Sequence, residues 1–138
     1  MTELNNLVGK QKRVVSISPQ ATVRDAAKAM AEANVGAAAI MDGTKLVGLF
    51  TERDVLKRVL LQNLNVDKVC VEDVMTRELI CAEIGHTTSD ARFLMRRHHI
   101  RHLPVLDAVG QLVGVLSIRD LIHDEVREMR DYIAMHEG

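Results

Sequence analysis

Two four-residue stretches carry the side chains best suited to chemistry: Thr51-Glu52-Arg53-Asp54 and Ser117-Ile118-Arg119-Asp120. In each, a hydroxyl residue precedes a guanidinium by two positions and a carboxylate by three. A hydroxyl three residues before an acid is the capping-box pattern of a helix start, in which both side chains satisfy backbone N–H groups. The same arrangement suits a ligand. Free N–H groups at a helix start attract an anion, and a carboxylate accepts two hydrogen bonds from a vicinal diol. A ribose with its phosphate offers both partners, the sugar at the acid and the phosphate further along near a cation. Capping and ligand contact are compatible.

The tetrads close two copies of a longer pattern. Residues 45–54, KLVGLFTERD, return at 111–120 as QLVGVLSIRD, each running polar, Leu, Val, Gly, aliphatic, apolar, hydroxyl, any residue, Arg, Asp. Gly48 to Gly114, Thr51 to Ser117, Arg53 to Arg119 and Asp54 to Asp120 share an offset of 66. A period this long makes each copy a supersecondary unit, not one turn of a solenoid.

The elements around each copy must position it. Residues 14–17 are a short β-branched run ended by Ser18-Pro19, which predicts a buried strand leaving into a turn. Thr22 caps a helix with Asp25 in its first turn, and Val23, Ala26, Ala27, Met30 and Ala33 recur at helical spacing until Asn34 and Gly36 stop it. Residues 37–41 and 46–50 are the arms of a hairpin around Asp42-Gly43. A helix from Thr51 carries Val55, Leu56, Val59 and Leu60. Residues 63–72 link the halves, and the order then repeats: a turn at 73–76, a strand at 79–82, a helix at 87–98 with Asp90 near its cap and Ala91, Leu94 and Met95 facing in, and a hairpin of 103–106 and 112–116. The second hairpin turn is one residue longer, so the offset is 65 before it and 66 after; loops absorb such insertions.

The last helix starts at Ser117 and outruns the repeat. Ile118, Leu121, Ile122, Val126, Met129 and Ile133 share a stripe, with charged residues mostly elsewhere. A stripe extending beyond its own unit needs a partner; homodimer contact is the expectation, symmetric pairs being the commonest oligomers. The chain divides into a polar segment at 1–13, read as one short helical turn with no assigned chemistry, units at 14–66 and 67–125 (the second including the link), and a helix extension at 126–138.

Composition excludes several functions. A chain of 138 residues, 47% apolar, suits one compact fold. Its 18 basic and 19 acidic residues leave no electrostatic footprint for nucleic acid or an anionic membrane. No apolar run reaches the roughly 20 residues that span a bilayer, and the first residues lack a signal peptide's basic and apolar regions, so the expectation is cytoplasmic. Cys70 and Cys81 form no disulfide framework or metal spacing and are read as reduced thiols. With no Trp and only Phe50, Phe93 and Tyr132, a flat ring would be gripped by aliphatic side chains and backbone. His98, His99 and His102 fall across a helix end, a turn and a strand start without a completing ligand set, so no metal is expected. There is no Gly-rich phosphate loop and no nucleophile beside a base, so no enzyme is expected and no catalytic residue is assigned.

LVGLFTERD and LVGVLSIRD, VEDVMTRELI between the halves, and IRHLPVLD at 100–107 together resemble a tandem pair of CBS (cystathionine-β-synthase) domains, a Bateman module of the stand-alone bacterial or archaeal type, over roughly residues 8–125. The resemblance implies an α/β (α+β) fold: two β-α-β-β-α motifs packed by pseudo-twofold symmetry through their small sheets, leaving two clefts. It implies a regulatory sensor that requires no cofactor and binds an adenine nucleotide (AMP, ADP, ATP or NAD, or S-adenosylmethionine), with an unknown regulated protein. By that resemblance Asp54 and Asp120 hold ribose, with Thr51 and Ser117 as the hydroxyl residues and Arg53 and Arg119 beside them. Base contacts map to Ser16, Ile17 and Ser18, to Leu79, Ile80 and Cys81, and to Gly36, Ala37, Ile100 and Pro104 on the segments leading into the second strands. There the halves differ. The second has Arg101 and His102, where family members reach phosphate; the first has Gly36 and Ala37, with no charge. Arg101 keeps its charge and binds phosphate bidentately, whereas a free imidazole titrates near ~6.5. The competing expectation is an interaction scaffold whose clefts stay unoccupied.

Overall fold

A computed structural model of the chain describes residues 2–8 and 14–137; part of the predicted N-terminal segment, Met1 and residues 9–13, lies outside the described residues. The first half builds one three-stranded sheet. β1 (Ser16–Ile17) runs parallel to β2 (Ala37–Asp42), which pairs antiparallel with β3 (Lys45–Thr51). Gly43 takes the positive φ of 62° that the Asp42-Gly43 turn demands. Between β1 and β2 runs α2 (Val23–Ala33). The Thr22 hydroxyl accepts the Asp25 N–H at 3.1 Å at its start, and Asn34 ends it in the left-handed region, φ 55°. The second half repeats this with β4 (Ala82–Glu83), α4 (Thr88–His98), β5 (His102–Leu106) and β6 (Leu112–Ser117) in the same order and directions. α4 starts in a capping box between Thr87 and Asp90, whose hydrogen bond from the Thr87 N–H holds the Asp90 carboxyl below its usual range.

Of the three helices up to β6 with a predicted apolar face, α2 and α4 bury that face and one does not. Val23, Ala26 and Met30 of α2 are buried, as are Ala91 and Met95 of α4; Ala27, Ala33 and Leu94 are half-buried. The exception is α3, Glu52–Asp54, which widens at once into a π-helical turn, Val55–Leu60, shown by the Leu61 N–H bonding to the Leu56 carbonyl. The wider turn rotates the side chains off the expected stripe. Val59 is buried, Val55 half-buried, and Leu56 and Leu60 are 49% and 63% exposed.

The opening strands also depart from expectation. Those predicted at 14–17 and 79–82 are two-residue strands, because the parallel ladder pairs only Ser16 and Ile17 with β2 and only Ala82 and Glu83 with β5. Ser16 is exposed, not buried.

Two cores result, and each is closed by chain from outside its own motif. α1 (Leu4–Val8) buries Leu4, Leu7 and Val8 in the second core, against Ala91, Leu103 and Leu121. Val71, Val74 and Met75, in and after a 3₁₀ turn at Val71–Asp73, fill the first core, against Val23, Ile40 and Phe50. The backbone ties match: Leu4 N–H bonds to the His86 carbonyl at 2.8 Å, and Val71 N–H to that of Ala21 at 2.8 Å. The stretch that sequence grouped with the second unit thus packs on the first. Gly48 is required there, since a Cβ would meet Met75 Cγ at 2.8 Å.

α5 (Ile118–Glu137) buries Leu121 and Asp124 and half-buries Ile118. The rest of its predicted stripe, Ile122, Val126, Met129 and Ile133, is 45–61% exposed. Among the described residues the extension's apolar stripe is left uncovered, while the Thr2 hydroxyl donates to Glu128 Oε1 at 2.7 Å.

Candidate functional site

Each hairpin delivers its last residue to a helix start. In the first motif the Thr51 N–H donates to Asp54 Oδ2 at 3.0 Å and the Asp54 N–H to the Thr51 hydroxyl at 3.2 Å, so the predicted capping box is present. In the second, the Ser117 N–H donates to Asp120 Oδ2 at 2.8 Å and the Asp120 N–H to the Ser117 hydroxyl at 3.2 Å. The register sets Ala37 across from Thr51 and His102 across from Ser117. The repeat's symmetry thus places Gly36 and Ala37 where Arg101 and His102 stand.

The two acids differ in their surroundings. Asp54 is buried; the Thr76 hydroxyl donates to its Oδ1 and Oδ2 at 3.1 and 3.2 Å, and Arg58 Nε lies 3.5 Å from Oδ1. A carboxylate has about four lone-pair sites, and the backbone, Thr76 and Arg58 engage most of them. Asp120 is half-buried, less deeply enclosed than Asp54.

Two open cavities, about 420 and 470 Å³, lie over these helix starts, within the size range of small-molecule sites. The first is walled by Leu49, Thr51, Asp54, Thr76 and Ile100, with Arg53 on α3 and Lys57 and Arg58 on the π-helical turn. The second is walled by Val14, Val15, Gly36, Ala37 and Val115, with Ser117, Arg119 and Asp120 at its base. Glu52, Arg101 and His102 line both. The positive charge that sequence assigned to the second repeat is therefore shared. Arg53 also reaches across, donating to the His99 carbonyl at 3.1 Å.

His102 is packed tightly. A Cβ on Gly36 would lie 3.0 Å from its Nε2 and 3.3 Å from Glu52 Oε1, so the uncharged segment of the first repeat makes room for the charged one of the second. Burial pushes the His102 imidazole below its usual range; the Glu52 and Asp120 carboxylates pull it up and Arg101 pushes it down. The net shift favours the uncharged ring between the clefts.

The predicted base contacts divide. Ile100 lines the first cleft, and Gly36 and Ala37 the second. Ser16, Ile17, Ser18, Leu79, Ile80 and Cys81 line neither; Ser16 and Ile17 are committed to the β2 ladder, and Ile80 packs on the second core. Pro104 is fully buried within β5. Phe50 is also buried, and Phe93 and Tyr132 are absent from both walls, so a flat ring would meet aliphatic side chains, as composition implied. Glu52, Lys57, Arg58 and Thr76 were missed. Thr76 sits in the VEDVMTRELI stretch but was read only as turn. Lys57 and Arg58 carried no signal, because a regular helix was assumed. Among the described residues no group of three His, Cys, Asp or Glu is placed to hold a metal ion, and no helix is long and apolar enough to cross a membrane.

Two β-α-β-β-α units, each ending in a capped hydroxyl–aspartate helix start and sharing a charged wall between two clefts, define a paired, cleft-bearing module. The chain belongs to the CBS domain family, whose model matches residues 10–61 and 71–126. Among curated relatives, the CBS domain-containing protein YhcV of Bacillus subtilis is 35% identical over 79% of this chain and 76% of its own length. The chain spans only 22% of CBSCBSPB3 of Arabidopsis thaliana, 32% identical over 87% of this chain. A solved CBS domain structure, NE2398, superposes with a TM-score of 0.85 at 37% identity, over 91% of this chain and 99% of that one. A CBS domain protein from Pyrobaculum aerophilum complexed with AMP gives 0.78 at 33%, over 86% and 88%. The CBS domain pair of protein MJ0100, in complex with 5′-methylthioadenosine and S-adenosyl-L-methionine, gives 0.82 at 26%, over 93% and 98%.

Proposed function

We propose that this chain is a regulatory module that binds an adenosine ligand, of the AMP, ADP, ATP or NAD class, in the clefts between its motifs, and that binding, not turnover, is its activity. The observation that carries the reading is the placing of an open cleft over each hydroxyl–aspartate helix start, with Arg101 between the two. The adenosine ligands named for two similar structures support it. Ribose would lie at the aspartate, phosphate at Arg101, and the base against Ile100 in the first cleft or Val14, Val15 and Ala37 in the second. Occupancy regulates only if the ligand binds two states of the module unequally.

A thermal-shift panel with AMP, ADP, ATP, NAD and S-adenosylmethionine tests this, because a ligand bound only to the folded state raises the Tm. At least one should do so, and no shift with any of them at about millimolar concentration sinks the reading. Asp120→Ala removes the carboxylate half of the capping box and keeps the Ser117 half, and should leave a folded protein with weakened ligand response. The engagement of most of the Asp54 lone-pair sites favours the scaffold alternative in the first cleft; a lowered Tm with an unchanged ligand response in Asp120→Ala would extend it to the second. The exposed apolar residues of α5 support a homodimer as the working assembly.

A further inference from the structure

We infer that Thr76 sets the affinity and the specificity of the first cleft: its hydroxyl holds the place of a vicinal diol on Asp54, so that only a ligand bringing two neighbouring hydroxyls displaces it. This rests on the nucleotide-binding reading and names the feature of the ligand that the first cleft selects. Asp54 is buried, and Thr76 stands beside it in the cleft wall. The single Thr76 hydroxyl reaches Oδ1 at 3.1 Å and Oδ2 at 3.2 Å, and so bridges the two oxygens where a diol would place one hydroxyl on each.

The backbone that carries Thr76 is fixed. Its N–H donates to the Leu49 carbonyl at 2.8 Å, and its carbonyl accepts the Leu49 N–H at 3.0 Å. Arg58 Nη1 donates to the preceding Met75 carbonyl at 3.0 Å, and the Met75 side chain is buried against Gly48. A hydroxyl tethered this closely competes with a ligand as an intramolecular partner does, at a high effective concentration. It leaves by turning about χ1 to another of its staggered rotamers. The remaining partners of Asp54 are compatible with that exchange. The Thr51 N–H engages Oδ2, and Arg58 Nε lies by Oδ1. Of the carboxylate's about four lone-pair sites, one on each oxygen is then open, and a ribose diol fills both. A single hydroxyl merely replaces that of Thr76, without gain, whereas a diol adds a hydrogen bond to a charged acceptor. The first cleft therefore selects ribose over deoxyribose nucleotides, and the contact that engages the carboxylate without ligand is the one a ligand exchanges.

The experiment is calorimetric titration with AMP and with 2′-deoxyadenosine 5′-phosphate, on full chains carrying Asp120→Ala, which removes the acid of the second cleft, with and without Thr76→Val. Valine keeps the shape of threonine and removes the hydroxyl. AMP should bind the doubly substituted chain about tenfold tighter than the singly substituted one, the worth of one hydrogen bond to a charged group, and should bind both tighter than its 2′-deoxy counterpart. An AMP affinity unchanged or lowered by Thr76→Val, or an equal affinity for the two nucleotides, overturns the inference. Should the double variant not fold, the Thr76 rotamer, read from NMR couplings in the Asp120→Ala chain, gives a second measure: saturating AMP should change it, and an unchanged rotamer overturns the inference. Failure of AMP to bind either variant while binding the wild type overturns the inference and leaves the nucleotide-binding reading standing. Failure of AMP to bind the wild type also overturns it, and the nucleotide-binding reading falls with it only if the rest of the thermal-shift panel fails too.

Discussion

His102 is the side chain on which both clefts depend, and its chemistry follows from where it is held. Burial keeps its pKa below the usual value, with Glu52 and Asp120 opposing that shift and Arg101 adding to it. An anion bound beside it favours the protonated ring, so binding takes up a proton. Affinity for a phosphate-bearing ligand should therefore rise as the pH falls from about 8 to about 6. Phosphate itself begins to protonate near ~6, so the measure is the difference between the wild type and His102→Gln, which should be several-fold at the acid end and vanish at the alkaline one. Identical slopes in the two proteins would show that the ring does not meet the ligand. At this scale the sequence was legible where chemistry is local. The capping pairs Thr51–Asp54 and Ser117–Asp120 follow from spacing alone. The sharing of Arg101 and His102 between clefts does not, because it depends on how two sheets meet.

At the scale of elements, the closing of each core from outside its own motif has a measurable cost. Leu4 is fully buried in the second core, although it lies about a hundred residues from Leu103, which it helps to cover. Leu4→Ala should destabilise the protein by about 2–5 kcal/mol, read as a lower urea midpoint, although the residue sits where termini are commonly frayed. A loss below ~0.5 kcal/mol, usual for surface sites, would mean that α1 is not part of that core. The order of elements was legible because helical and alternating periods in 23–33, 37–51, 88–98 and 102–117 are strong. α1 was legible only as one short helical turn, and its burial was not, since the run Leu4, Leu7, Val8 is too short to show a period. The π turn was not, because the residues of 55–60 fit a regular helix equally well and packing chose otherwise. β1 and β4 were read too long because hydrophobic runs mark burial, whereas a ladder's length is set by its partner.

At the scale of the molecule, both motifs present uncovered apolar helix faces: Leu56, Leu60, Leu61 and Leu64 after β3, and Ile122, Val126, Met129 and Ile133 on α5. Contiguous patches of this kind mark interaction sites, and a second copy is the occupant expected. Light scattering should give twice the chain's 15.4 kDa, and Met129→Glu with Ile133→Glu should return the single-chain mass; a monomer at every concentration would remove the dimer. The mutual capping of the cores reaches further. Residues 2–8 seal the second motif and residues 69–75 the first, so the unit that was duplicated is not the unit that folds. Opened near residue 66, the chain would give two fragments, each carrying its neighbour's missing wedge and lacking its own. Neither half can complete itself, and together they form a single cooperative body.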